Sequence, residues 1–125
     1  MSDYTDSINV LVKTSYLAEQ SIEHQQYVFA YTITIENTGD ESVQLLSRSW
    51  LITDADGGTT NVEGEGVVGQ KPHIAPTKSY TYTSGSAFKT PVGTMQGYYV
   101  FATASGKEVK ANIPVFTLAK PNILN

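Results

Sequence analysis

"GEGVVGQKPHIAP", Gly64 to Pro76, carries the spacing G-x-G-x-x-G at Gly64, Gly66 and Gly69, followed by two prolines. That spacing is the fingerprint of a loop cradling a dinucleotide pyrophosphate, and it would make the chain an α/β protein. Such a loop works only where a strand feeds the glycines and a helix starts after them, so that free amides and the helix dipole meet the phosphates. Here Pro72 and Pro76 would each deny the helix its hydrogen bonds and clash with its preceding turn. A Walker loop fails as well, because its last glycine leads straight into Lys and then Ser or Thr, whereas Gly69 leads into Gln70. Two readings are left. The glycine amides form a concave nest for a weakly bound anion, with Lys71 beside it, or the glycines supply positive φ in a long connection crossing between sheets. The second is favoured. Gly64, Gly66, Gly69 and Lys71 stand as the candidate ligand-binding residues.

The rest of the chain decides between α/β and all-β. Alternation of period two recurs, whereas period 3.6 is scarce. "QYVFAYTITIEN" (26–37) is the strongest strand, with Tyr27, Phe29, Tyr31, Ile33 and Ile35 on one face. "INVLVKTSY" (8–16) puts Ile8, Val10 and Val12 on another. In "SVQLLSRSWLITD" (42–54) Val43 and Leu45 face one way, then Leu46, Trp50 and Ile52 the other, which predicts a bulge or a strand that twists between sheets. "TTNVE", "KSYTYTSG", "GTMQGYYVFAT" and "KEVKANIPVFTL" supply further strands, with turns at "NTGD" (37–40), where Asn and Gly tolerate positive φ, and at "DADGG" and "SG". About seven strands at this spacing predict an immunoglobulin-like antiparallel β-sandwich, a single domain over residues 1–125. Leu17 and Ile22 make a poor apolar stripe, so Tyr16–Gln26 reads as a long loop with room for one helical turn.

Composition narrows the chemistry. The 125 residues contain no cysteine, which excludes disulfides, zinc–thiolate sites and thiol nucleophiles, and a reducing cytoplasm is the simplest home. Eight basic against 12 acidic residues give a net charge of −4, with no Lys/Arg cluster to reward a phosphate backbone, so nucleic acid is not an expected partner. No apolar run approaches the roughly 20 residues that span a bilayer. His24 and His73 lie far apart, without a second ligand at helical or strand spacing. Asp54, Asp56, Glu63 and Glu65 could converge as hard oxygen ligands, but Gly58 and Thr59 break the EF-hand order, and an Asp-Gly hairpin turn is the better reading. Neither a metal site nor a cofactor is expected. "SGS" (84–86) lacks a nucleophile-elbow pattern, and no catalytic set emerges, so the chain reads as non-enzymatic.

Eight tyrosines and one tryptophan are a generous aromatic supply, mostly for the core but also for contact surfaces. Tyr80 and Tyr82 share a face, Tyr98 and Tyr99 point to opposite sides of their strand, and Arg48 and Trp50 sit two residues apart where they can stack.

"GEGVVGQKPHIAPTKSYTYTSGSAFKTPVGTMQGYYVF" (64–101) closely resembles the signature of the ApaG family, G-x-G-V-V-G, P-x-[IL]-x-P, Y-x-S-G, T-P-x-G-x-M and G-x-Y in order. "LLSRSWLITDADG" (45–57) and "IPVFTLAKP" (113–121) resemble its flanking blocks. The resemblance implies a fibronectin type III-like sandwich. It also implies a small cytoplasmic protein of undefined biochemical activity, linked genetically to cobalt and magnesium resistance or efflux. Similar domains appended to eukaryotic F-box and polymerase-interacting proteins imply a protein–protein interaction module. The alternative it leaves is a sensor of a small ligand or divalent cation, with weak anion binding at the glycine loop. The family supplies no catalytic residues. One position departs from it: Thr77 follows Pro76 where members usually carry Gly, so if that Gly adopts positive φ, Thr77 is mildly strained or the turn is altered.

Overall fold

The computed structural model describes residues 3–122. Its strands are β1 (Asp3–Tyr4), β2 (Ile8–Tyr16), β3 (Tyr27–Asn37), β4 (Val43–Asp54), β5 (Thr59–Glu65), β6 (His73–Ile74), β7 (Ser79–Phe88), β8 (Val92–Thr103) and β9 (Glu108–Ala119), with helix α1 (Ala18–His24) between β2 and β3. The seven long strands are those expected; β1 and β6 add two residues each. One sheet runs β1-β9-β8-β4-β5, with β6 also pairing β4, and the other runs β2-β3-β7. All pairings are antiparallel except β1 with β9. The fold is the immunoglobulin-like sandwich.

Alternation places the core between the sheets. From β3, Phe29, Tyr31, Ile33 and Ile35 are buried, and from the opposite sheet Trp50, Met95, Tyr99, Phe101, Ala111 and Leu118 meet them. Trp50 packs edge-on against Tyr31, Tyr99 and Phe116, the quadrupole-favoured geometry. The hydroxyls of Tyr82 on β7 and Tyr99 on β8 join across the sandwich at 2.5 Å. Burial, first of all, pushes both phenols well above their ordinary range.

The bulge in β4 falls between Leu45 and Ser47. It shifts the phase so that Val43, Leu45 and Trp50 all face one core, while Leu46 is only half-buried, rather than sharing a face with Trp50.

Two local expectations are corrected. Residues 18–24 form a helix of about two turns, not a loop. An apolar stripe does not hold it, since Ile22 is 80% exposed. Buried Ser21 does: its hydroxyl donates to the Leu17 carbonyl at 2.8 Å and accepts the Val28 amide at 2.8 Å. Gln25, in the left-handed region at φ 55°, closes the C-terminus. The "NTGD" turn also forms for a different reason. Neither Asn37 nor Gly39 takes a positive φ. The buried Asn37 amide donates to the carbonyls of Glu41 (2.7 Å) and Ile74 (2.9 Å) and its oxygen accepts the Gly39 amide (3.0 Å), so one side chain ties three segments together.

Candidate functional site: the glycine loop and the outer sheet face

The chain leaves β5, turns, and returns to β4 as β6, so the glycine motif is an excursion from the edge of one sheet and not, as expected, a crossing between sheets. Val67 and Gln70 exchange both backbone hydrogen bonds (2.8 and 2.9 Å), closing a two-residue turn at Val68 and Gly69. Both central residues have positive φ, 47° and 77°, the pattern of a type I′ turn. No helix follows; Pro72 gives its carbonyl to the Leu45 amide and Ile74 pairs with Val43.

Each glycine answers a distinct constraint. Gly64 sits in β5 beneath the Arg48 guanidinium, which a Cβ would meet at 2.9 Å. Gly66 has φ +63°, and a Cβ would come within 2.3 Å of the Gln70 carbonyl oxygen. Gly69 supplies the turn. Val67 drops from this loop into the core and is 1% exposed, whereas Val68 is 62% exposed. The amides of Gly66, Val67 and Gln70 are all taken by backbone carbonyls. Lys71 lies beside the loop, with its Nζ 3.3 Å from Glu65 Oε1.

Arg48 does not stack on Trp50. Its Nη1 donates to the carbonyls of Glu65 (3.0 Å) and Gly66 (2.8 Å), buttressing the loop from β4. This role leaves no trace in local sequence, because it depends on the β4–β5 register. The acidic candidates do not converge. Asp54 Oδ1 accepts the amides of Asp56 (2.9 Å) and Gly58 (2.9 Å), as in an ordinary Asp-Gly hairpin, and Glu63 and Glu65 lie further along β5, opposite Ser49 and Ser47. Among the described residues no three His, Cys, Asp or Glu side chains gather. Ser84 and Ser86 lie within β7.

The surface aromatics gather elsewhere. Tyr98 points outward from β8 while Tyr99 points in, and Tyr4 on β1 meets the Tyr98 ring edge-on at 6.5 Å. Lys110 on β9 lies over both rings, 4.5 Å from Tyr98 and 5.8 Å from Tyr4. Beside them runs a groove of about 550 Å³ with Leu51, Gln96, Tyr98, Asn112, Pro114 and Val115 among its walls. Sequence reading missed Tyr4 and Lys110 because β1 pairs in parallel with a strand about a hundred residues away, and a two-residue strand has no periodicity to detect.

The fold and the loop together define an antiparallel β-sandwich of fibronectin type III-like class in which G-x-G-x-x-G serves as a sheet-edge turn. Comparison with known proteins is specific. The family model for the ApaG domain matches residues 18–103. Protein ApaG of Vibrio vulnificus is 57% identical over 119 residues, 94% of each chain, and that of Shewanella loihica is 52% identical over the full length of both. A solved structure given as an ApaA protein of Bordetella pertussis superposes with a TM-score of 0.88 at 43% identity, covering 97% of this chain and 98% of that one. The chain belongs to the ApaG domain family.

Proposed function

We propose that this domain is a non-enzymatic protein-interaction module acting in the cytoplasm, and that it meets its partner through the outer face of the larger sheet. The observation that carries this reading is the Tyr4–Lys110–Tyr98 stack beside the 550 Å³ groove. Tyrosine offers large contact area at low entropic cost and is enriched at interfaces. Val115 (59%) and Tyr4 (56%) also leave large apolar side chains exposed to solvent.

Affinity capture from a lysate, with Tyr98→Ala and Val115→Asp as paired controls, tests it. The expected result is a specific partner retained by the parent domain and lost from both variants. Repeated capture of nothing, or a partner indifferent to both changes, contradicts it. The competing reading, a sensor of divalent cations or of phosphate at Gly64, Gly66, Gly69 and Lys71, separates from this one by thermal shift. A domain that binds Mg²⁺, Co²⁺, pyrophosphate or ATP gains stability with ligand, and an interaction module gains none.

A further inference from the structure

Five strands end the two sheets, and four are guarded. β1 and β6 are two residues long, β5 carries Glu63 and Glu65, and β2 carries Lys13 near its middle, while the stretch of β9 left open beyond β1 carries Pro114. Short edges and charged edges are the usual protections against unwanted strand pairing. β7 has neither. It runs ten residues, "SYTYTSGSAF", with no charge and no proline, and its register with β3 is unbroken from Ser79 to Phe88. No strand pairs with its other side among the described residues. Every second residue of such an edge turns its N–H and C=O outward, ready for an added strand.

The charges at its two ends say what kind of strand. Lys78 and Lys89 bracket β7, both exposed, and neither is in an ion pair among the described residues. A second copy, paired antiparallel about the centre of the strand, would set Lys78 against the partner's Lys89 at both ends. Like charges directly opposed across strands are destabilising. The complementary occupant carries carboxylates there instead.

We propose that β7 is a docking edge that accepts, as an added strand, an extended uncharged segment of another protein bracketed by acidic residues. This rests on the protein-binding reading but uses a different part of the surface. The test is titration of the isotopically labelled domain with a capped peptide of Thr-Val repeats spanning β7, with Glu at each end. Amides of residues 79–88 are expected to shift and to gain exchange protection. The Lys-ended peptide is expected to bind roughly tenfold more weakly at low salt, with the gap closing as salt rises. A peptide N-methylated at alternate residues is expected not to bind, because it lacks donors for the ladder.

Unresponsive β7 amides at millimolar peptide would overturn the proposal, as would equal binding of both charge forms. Sedimentation showing a dimer with β7 protected would overturn it in favour of a second copy. A partner captured through Tyr98 that leaves β7 unprotected would overturn strand addition and leave the interaction-module reading standing.

Discussion

Thr77 is one of two β-branched residues, with Val68, held at positive φ among the described residues. It occupies the third position of a turn closed by the Lys78 amide on the Ala75 carbonyl at 3.0 Å, with Pro76 before it. That is the type II pattern, which places a positive φ where glycine belongs, and Thr77 has φ 70°. Its amide donates to the Asn37 carbonyl at 3.0 Å, which holds the turn in place, and its side chain is exposed. A Cβ in the left-handed region costs about 1–2 kcal/mol. Glycine removes that strain but gives back roughly 0.5–1 kcal/mol through the freedom of the unfolded chain. Thr77→Gly is therefore expected to stabilise by about 0.5–1 kcal/mol. Unfolding entropy near 2.1 cal/mol/K per residue gives about 0.26 kcal/mol/K for 125 residues, so Tm should rise by about 2–4 °C in calorimetry. Thr77→Ala keeps the Cβ and should stay within about 0.5 kcal/mol of the parent. A Gly variant that melts at or below the parent temperature, or an Ala variant that gains as much as Gly, would refute the strain argument.

Three further outcomes follow from buried polar groups. Either Tyr82→Phe or Tyr99→Phe strands the other hydroxyl and should cost about 1–2 kcal/mol, while the double variant should cost no more than one single; additive losses in urea unfolding would show that the two hydroxyls are not coupled. Both phenols are raised in the folded state above an unfolded value near 10, so their contribution is complete below about pH 10 and is lost as pH rises beyond it. Absorbance at 295 nm should then show these two of the eight tyrosines ionising only as the fold is lost, and their titration in the intact fold near pH 10 would contradict their burial. Asn37→Asp turns a carboxylate toward the carbonyls of Glu41 and Ile74 and should destabilise by about 3 kcal/mol or more. A change under about 0.5 kcal/mol would remove Asn37 as the tie among those segments.

What sequence could show was whatever repeats locally. The inward set of β3 and the two prolines after Gly69 were enough to exclude the α/β motif, but not to show that the loop returns to the sheet it left. The phase change at Leu46 was visible as well, because a bulge leaves a slip in a period-two pattern. Thr77 showed its strain only through its neighbour Pro76 and the family's usual glycine. The misses are of another kind. Helix α1 is held by one serine reaching Leu17 and Val28, Arg48 serves the glycine loop through strand register, and Tyr4 meets Tyr98 through a parallel pair spanning most of the chain. None of these produces periodicity, because each is a contact between segments and not a property of one.

On the proposed function, the domain meets its partner across the outer sheet face, away from the glycine loop. The most direct measurement is in-cell photocrosslinking with a photoreactive phenylalanine analogue placed at Tyr98 in one variant and at exposed Val68 in another. A discrete protein adduct from position 98 with none from position 68 is the expected result. Adducts from position 68 alone, or from neither, would contradict it.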